Sequence, residues 1–371
     1  MDLELKDIAR ELLQRTLPQL LSHAHNGFRA VRHEMPFPTE QGFLGPEITH
    51  IGDVFQRAIL AEALASASTV THTSLDGILD REIAYLISCR RMQGVCGWSY
   101  FPGLLELPPD ADDLAQVIIA LVACGRPHDI VRFCLPSLSV LLEEDSYPDG
   151  AFETWIVPRT RNAEQELQVR WIRQAWGWGP DAEVMANLLY ALHLYDALRF
   201  QSVIRRGAEF LASRQADDGS WKSTWYHGHF YGTWMCLRLF CAAGLEGEAL
   251  RKGLLFLQKS RREDGAWGWQ QSSDPLSTAF ALMGLSDCLT LAGFPATSAP
   301  VLDASEILDH ANLAALYLRS FANTHQEWPD VPFIRMELGR PTGRPWQVLS
   351  YGNSLMTAAF VMKAACALLR P

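Results

Sequence analysis

The chain has 371 residues, of which 48% are hydrophobic, and carries a formal net charge of −10 with a pI near 5.6. Its length and apolar content allow a large buried core, and the acidic balance without a basic run argues against a nucleic-acid partner. No stretch reaches the roughly 18 uncharged apolar residues that could cross a bilayer. We therefore expect a cytoplasmic protein without a transmembrane segment, with peripheral membrane contact and oligomeric state left open.

The chain begins with an amphipathic segment, residues 1–21, that carries both charge signs. It lacks the positive start and uninterrupted apolar core of a signal peptide, so we expect it to be a helix of the fold. We predict that it forms a first helical hairpin with residues 52–67. The proline-rich stretches at 36–47 and 294–300 are predicted to be long loops.

The eight cysteines form neither a CxxC pair nor a Cys/His ladder with zinc spacing. Most of them lie in apolar helical surroundings, where a free thiol behaves as a small hydrophobic group. A reducing compartment is the simplest interpretation.

An internal repeat organises most of the chain. FLASRQADDGSW at 210–221 recurs as FLQKSRREDGAWGW at 256–269, with looser copies at 85–100 and 140–155 and a worn copy at 317–328. Each copy is followed by an almost continuously apolar helix, whereas the helices within the repeats carry charges on one face. This pattern predicts one all-α domain spanning residues 1–371, an (α/α)6 barrel of helical hairpins with buried inner helices and amphipathic outer helices.

The stretch LPPDADDLAQVIIALVACG, residues 107–125, places three carboxyl groups at the start of an apolar inner helix. Asp110 can cap this helix, and Asp112 and Asp113 in its first turn complement the positive end of the helix dipole. The same cluster could instead hold a proton. The residues alone leave both interpretations open.

Several segments, taken in sequence order, resemble the squalene–hopene cyclase family. The Asp-Gly-x-Trp turns resemble the QW repeats of triterpene and diterpene cyclases. DGSWKSTWYHGHFYGTW and PLSTAFALMGL resemble two further segments of that family, and PDADD matches its DxDD motif. The resemblance extends from about Asp53 onward. The chain is too short for the second barrel that most members carry, so it is similar to single-domain class II cyclases of meroterpenoids.

The resemblance implies that Asp112 is the general acid and that Asp110 and Asp113 tune and reload it. A strong acid needs a site that excludes water, where neighbouring carboxyls share a proton and the helix N-terminus stabilises the anion. The segment PDAEVMANLLYAL aligns Asn187 with the family residue that faces the acid. A buried asparagine satisfied by backbone groups is the structural alternative.

Aromatic faces could steer the carbocation through cation–π attraction. Core packing is the alternative for each ring, and we expect about half of the candidates to line a cavity. The candidates are Trp98, Tyr100, Trp155, Trp178, Trp225, Tyr231, Trp234, Trp346 and Tyr351. Trp221 and Trp267, within the repeat turns, are expected to be structural clamps. Arg335, Arg340 and Arg344, in a predicted loop, could bind a substrate carboxylate or diphosphate, or be ordinary surface arginines.

The favoured function is therefore proton-initiated cyclisation of a linear, hydrophobic polyprenyl substrate, above all a geranylgeranylated aromatic acid of the dihydroxybenzoate type. Alternatives are a farnesyl or geranylgeranyl diphosphate class II cyclase, a zinc-dependent protein prenyltransferase β-like subunit, and an inactive barrel that binds prenyl chains. We expect no metal or other cofactor, except Mg²⁺ if the substrate is a diphosphate. The histidines form no HExxH motif, and the sequence has no P-loop.

Overall fold

The computed structural model describes residues 3–44, 49–92, 94–292 and 304–370. Twelve of the fourteen α-helices in this part of the chain form two layers, and the predicted all-α barrel is confirmed. The inner helices are α2 (Val54–Thr71), α4 (Ala111–Ala123), α8 (Ala182–Asp196), α10 (Phe230–Ala242), α12 (Pro275–Ala292) and α14 (Ser354–Leu369). The outer helices are α1 (Leu3–Ser22), α3 (Asp76–Ser88), α6 (Leu135–Glu143), α9 (Gln201–Ser213), α11 (Glu248–Ser260) and α13 (Ala304–Thr324). The other two helices, α5 (Pro127–Asp129) and α7 (Ala163–Trp171), each lead into a π-helical turn.

The inner helices form a closed ring, because each packs against the next and α14 packs against α2. Their sides are apolar almost all round, and most of their residues are buried. The outer helices α9 and α11 instead alternate a buried apolar stripe with an exposed charged face. These two patterns are the physical basis of the concentric arrangement.

The predicted first hairpin, in which α1 would pair with α2, is not formed. Helix α1 makes only slight contact with α2 and packs mainly on α14 and α13, at the other end of the chain. The same shift is seen around the barrel, where α9 and α13 pack mainly on the inner helices that precede them, α8 and α12. Helix α1 therefore supplies the outer layer beside the last inner helix.

The repeat turns clamp neighbouring outer helices together. The indole Nε1 atoms of Trp221 and Trp267 donate to the carbonyl oxygens of Leu211 and Leu257, at 2.7 and 2.8 Å. Gly219 has a φ of +91°, and a Cβ atom there would lie 2.2 Å from the carbonyl oxygen of Lys252 on α11. The Asp-Gly turn thus needs glycine both for its backbone conformation and for its close approach to the next outer helix.

Two short antiparallel hairpins lie outside the helical layers. Strand β1 (His33–Pro36) pairs with β2 (Thr49–Gly52), and β3 (Pro332–Leu338) pairs with β4 (Gln347–Gly352). The segment that carries the three candidate arginines is therefore mainly a hairpin, because residues 332–338 and 347–352 pair as strands. The prediction of a loop was wrong for Arg335, which lies on β3, whereas Arg340 and Arg344 lie in the connection between the strands. Of the predicted proline-rich loops, residues 45–48 and 294–300 lie outside the described residues.

A buried charge network joins four inner helices in the barrel interior. Glu62 of α2 accepts hydrogen bonds from Lys363 of α14 at 2.6 Å, Arg238 of α10 at 2.5 Å and Gln116 of α4 at 2.9 Å. The Arg238 guanidinium also lies 3.7 Å from the ring centroid of Tyr190 on α8. The three charged side chains are all at least 93% buried, so the carboxylate and the two cations offset the cost of removing one another from water.

Within the described ranges, no helix combines the length and apolar character needed to span a membrane.

Candidate active site

The acidic cluster at the start of α4 divides into two roles. Asp110 is the N-cap: its Oδ1 atom accepts from the backbone N–H groups of Asp112 at 3.0 Å and Asp113 at 2.8 Å. The extended segment before it is held by bonds from the Asp110 N–H to the Trp98 carbonyl oxygen and from the Ala111 N–H to the Thr154 carbonyl oxygen. With Asp110 occupied as the cap, the side chain of Asp112 is free to bind groups from other helices.

Asp112 receives one hydrogen bond on each carboxyl oxygen. Asn187 of α8 donates from Nδ2 to Oδ1 at 2.7 Å, and the hydroxyl of Tyr226 donates to Oδ2. An amide and a phenol can bind the carboxyl group without bringing a positive charge to it. The structure thus places Asn187 against Asp112.

Burial sets the protonation of the cluster. It raises the pKa of Asp112 to about 7 despite the hydrogen bonds from Tyr226 and Asn187, and that of Asp110 to about 6 despite its capping bonds. Burial also raises the pKa of Asp113 well above its usual range, assisted by the nearby charge of Asp110. The cluster can therefore retain protons near neutral pH, which three carboxyls in water would not.

The three carboxyl groups lie at the wall of a mostly apolar cavity. Its remaining lining comes from the inner helices, from the connections between them and from β3. These residues are Phe55, Tyr100, Phe101, Leu107, Thr154, Trp155, Trp176, Val184, Trp225, Tyr226, Ile334 and Met336. The few polar groups converge on one wall, as is typical of small-molecule sites.

The predicted aromatic residues fall into three groups. Tyr100, Trp155 and Trp225 line the cavity, and the rings of Trp155 and Trp225 meet edge to face at 5.4 Å. Tyr231 lies behind the wall, with its ring centroid 4.1 Å from that of Tyr226. Trp234 lies deeper, beside the charge network, where its Nε1 donates to Asp287 at 3.2 Å.

The other four predicted aromatic residues are not in the cavity lining. Trp98 donates from Nε1 to the carbonyl oxygen of Leu86 at 2.7 Å, which is the clamp arrangement of the repeat tryptophans. Tyr351 is buried and donates to the carbonyl oxygen of Val31 at 2.6 Å. Trp178 and Trp346 are 42% and 45% exposed. Trp98 and Tyr351 thus support packing between elements, whereas Trp178 and Trp346 face the outside.

The three candidate arginines have different surroundings. Arg340 lies with its guanidinium 4.7 Å from the ring centroid of Trp225 and its Nη1 atom 3.6 Å from Asp181. Gly177 provides the space, since a Cβ atom there would lie 2.5 Å from Arg340 Nη2. Arg335 pairs with Glu337 and is 41% exposed, and Arg344 is exposed in the turn of the hairpin. Arg340 is thus in contact with the cavity wall.

Three residues near the acid were not among the predicted site residues. Tyr226 is one position beyond a predicted tryptophan, in a connection without periodic signal. Trp176 lines the cavity with a buried Nε1–H that has no hydrogen-bond partner in the described part of the chain. Glu183 is fully buried and its Oε1 accepts from the backbone N–H groups of Thr224 at 2.5 Å and Trp225 at 2.9 Å. It thus holds the connection that carries Tyr226.

The arrangement is suited to giving a proton to an apolar substrate. A carboxyl group in a water-excluded cavity can protonate an alkene, and the neighbouring aromatic faces can stabilise a cation by about 2 kcal/mol or more each when desolvated. Among the described residues, no group of three or more His, Cys, Asp or Glu side chains is placed to hold a metal ion.

Comparison with solved structures shows the same fold. MstE, a type II terpene cyclase from Scytonema solved with geranylgeranyl dihydroxybenzoate as substrate, superposes with a TM-score of 0.69 and 16% identity, covering 99% of both chains. The ent-copalyl diphosphate synthase from Streptomyces platensis gives a TM-score of 0.53 and 20% identity, covering 87% of this chain and 51% of that one.

Curated relatives match shorter parts of the sequence. The copalyl diphosphate synthase of Streptomyces cyslabdanicus is 25% identical over 216 residues, which cover 57% of this chain and 35% of that protein. The squalene–hopene cyclase of Zymomonas mobilis is 31% identical over 97 residues, covering 22% and 15% of the two chains. The chain thus spans about a third or less of these relatives. The family model of the squalene–hopene cyclase C-terminal domain matches residues 56–288, well over half of the chain, and the protein belongs to that family.

Proposed function

We propose that the protein catalyses a proton-initiated, class II cyclisation of a linear polyprenyl substrate, with Asp112 as the acid. The observation that carries this proposal is the Asp112 carboxyl group, hydrogen-bonded by Asn187 and Tyr226 at the wall of an aromatic cavity. Asp112 transfers its proton to one carbon of the terminal alkene, and the other carbon becomes a tertiary cation. Successive alkenes then close rings, and loss of a proton from the final cation makes the overall reaction an isomerisation.

The roles of the surrounding residues follow from their positions. Asp110 caps the helix and, with Asp113, keeps protons in the cluster, while Trp155, Trp225 and Tyr100 present ring faces and edges to the cavity. Tyr231 supports Tyr226 from behind. No cofactor is needed for proton transfer within this set, and Mg²⁺ would be required only if the substrate carried a diphosphate.

We propose a geranylgeranylated aromatic acid as the substrate. MstE, whose chain matches this one over 99% of both lengths, was solved with geranylgeranyl dihydroxybenzoate and, in another variant, with merosterolic acid A as product. The Arg340 guanidinium against Trp225, and the unpartnered Nε1–H of Trp176, would bind a carboxylate or phenol oxygen at one end of the cavity. The diphosphate alternative is supported by the copalyl diphosphate synthase relatives. The prenyltransferase alternative has no zinc ligand cluster among the described residues.

Substitution of Arg340 by glutamine should separate these substrates. We expect the KM for geranylgeranyl dihydroxybenzoate to rise about 10-fold or more, with a smaller change in kcat, because a charge-assisted contact to the carboxylate is lost. Products from this acid, its decarboxylated analogue and geranylgeranyl diphosphate with and without Mg²⁺ would be identified by mass spectrometry and NMR.

The decarboxylated analogue is the internal control, since its KM should not respond to the Arg340 substitution. Arg344→Gln, in the exposed turn of the same hairpin, is the matched control variant. Cyclisation of the diphosphate in preference to the acid would overturn the substrate assignment and leave the class II mechanism in place.

We also propose that the cavity end of the barrel contacts a membrane surface. Large apolar side chains are exposed on the segments around the starts of the inner helices: Leu44, Leu105, Trp178, Trp346 and Val348. Leu44 and Leu105 are neighbours, since the Leu44 N–H donates to Glu106 at 2.6 Å. Exposed tryptophans suit a lipid interface, and a prenyl substrate partitions into lipid. Wild-type protein should co-sediment with phosphatidylcholine vesicles, and Trp178→Ser/Trp346→Ser should bind less; equal binding would contradict the proposal.

A further inference from the structure

Each turnover in the proposed cyclisation leaves Asp112 as a carboxylate, because its proton has entered a C–H bond. The cavity lining is mostly apolar, so a specific route must return a proton to the cluster. Asp113 provides a receiving atom: it is 1% exposed, and its Oδ1 atom has no hydrogen-bond partner among the described residues. The following inference rests on the proposed function and concerns this reloading step.

A hydrogen-bonded pair leads from the β1 hairpin to the acidic cluster. Tyr100 lines the same cavity as the three carboxyl groups, and its hydroxyl lies 3.1 Å from Nδ1 of His33. His33 is only partly buried, and its ring stacks on Tyr351 with centroids 4.9 Å apart. On the inner side, Asp110 accepts a hydrogen bond from the backbone N–H of Tyr100.

When His33 carries its proton on Nδ1, the hydrogen bonds at Tyr100 leave the Tyr100 hydroxyl proton free to point inward. Gln56 donates from Nε2 to the hydroxyl oxygen at 2.5 Å, and His33 in its Nδ1–H tautomer would donate to the same oxygen. A phenolic oxygen that accepts twice still has its own O–H to donate. That O–H is then available to the carboxyl side of the cavity, directly or through one water molecule.

We propose that His33 and Tyr100 form the proton relay that recharges the Asp110–Asp112–Asp113 cluster after each turnover. A proton from solvent binds His33 at Nε2, the Nδ1 proton passes to the Tyr100 oxygen, and the Tyr100 hydroxyl proton passes to the Asp113 carboxylate. Asp113 then supplies the cluster from which Asp112 is protonated. One proton enters and one is taken up, so the relay residues are unchanged once the imidazole returns to its first tautomer.

The neutral state of His33 suits this role. Burial lowers its pKa to about 4, so the ring holds no permanent charge at neutral pH and releases an added proton readily. A permanently charged imidazolium would instead stabilise the carboxylate form of the cluster and weaken the acid.

The test separates the first turnover from later ones. In His33→Asn the amide can still donate to Tyr100 but does not carry a proton onward, and Tyr100→Phe keeps the ring and removes the hydroxyl. With enzyme pre-equilibrated in buffer and rapidly mixed with excess geranylgeranyl dihydroxybenzoate, both variants should form the first equivalent of product within about 2-fold of the wild-type rate. Their steady-state rates should then fall about 10-fold or more, giving a burst.

His50→Asn is the matched control, because His50 lies on the paired strand β2 and its ring packs on Phe37. It should change neither phase. Equal reductions of the first turnover and the steady state in both relay variants, or no reduction in either, would overturn the relay. Absence of any product from the wild-type protein with this acid, and also with geranylgeranyl diphosphate and Mg²⁺, would instead overturn the proposed function itself.

Discussion

Asp112→Asn should abolish cyclisation while leaving the fold and substrate binding intact. The amide preserves the shape of the side chain and can keep its contacts with Asn187 and Tyr226, but it has no acidic proton to give to an alkene. We expect the turnover rate to fall by about 10⁴-fold, at the upper end of general-acid effects, because the amide cannot deliver a proton from the position that Asn187 and Tyr226 define. Product formation by mass spectrometry and thermal unfolding by circular dichroism are the measurements.

Asp145→Asn is the matched control. Burial raises the pKa of Asp145 to about 7, as for Asp112, but this carboxyl group lies outside the cavity lining and accepts from the Val157 N–H at 3.1 Å. Its loss should leave turnover within about 2-fold of wild type. An Asp112→Asn variant that still cyclised at the wild-type rate would show that another group is the acid.

The pH dependence of the wild-type enzyme provides a second readout of the same assignment. The acid acts in its protonated form, and burial raises the pKa of Asp112 to about 7. The rate should therefore decline as the pH rises above about 7, in contrast to an enzyme that uses the carboxylate as a base.

The second large effect concerns stability. Glu62→Gln should lower the free energy of unfolding by about 3–5 kcal/mol, because Lys363 and Arg238 would remain buried without their shared carboxylate. Chemical denaturation followed by circular dichroism would measure it. Glu248→Gln is the control, since it breaks an exposed pair with Arg251 and should give no detectable change.

The charge network also predicts the pH range in which this contribution to stability is lost. Burial alone would raise the pKa of Glu62, but Lys363 and Arg238 outweigh it and hold the pKa far below its ordinary value. The pKa of Lys363 shifts for the opposite reason: burial lowers it to about 8, although the nearby Glu62 carboxylate favours the charged form. A carboxyl group whose pKa is lowered by folding stabilises the fold at pH values above its pKa in the unfolded chain. The contribution of Glu62 to the free energy of unfolding should therefore be complete between about pH 4.5 and 8 and decline at more acidic pH. A Glu62→Gln penalty that did not shrink on acidification would contradict this account.

The features that local sequence dictates were the predictable ones. The Asp-Gly turns and continuously apolar segments predicted the two helical layers, because hydrophobic periodicity and turn residues depend on near neighbours in the chain. The acidic cluster allowed both capping and proton storage. In the structure Asp110 caps the helix, whereas Asp112 accepts hydrogen bonds from Asn187 and Tyr226. Asn187 was predicted against the acid from its motif alone.

Other features depend on contacts that are distant in sequence. Tyr226 reaches Asp112 from 114 positions away, and nothing near Tyr226 distinguishes it from the surrounding aromatic residues. Trp98 and Trp155 both follow repeat turns, yet one clamps two elements and the other lines the cavity. Whether a tryptophan clamps two elements or lines the cavity is decided by the packing of the whole barrel, so the composition of its segment does not reveal its role.

The packing of α1 against α14 has a consequence for biosynthesis. During translation α1 leaves the ribosome before the other helices of the barrel, yet α14, on which its buried apolar face packs, leaves after them. Until α14 emerges, the nascent barrel is an open arc with an uncovered apolar edge at each end. The ring can therefore be sealed only after all its other helices have been made, and the growing chain must be protected from aggregation until then.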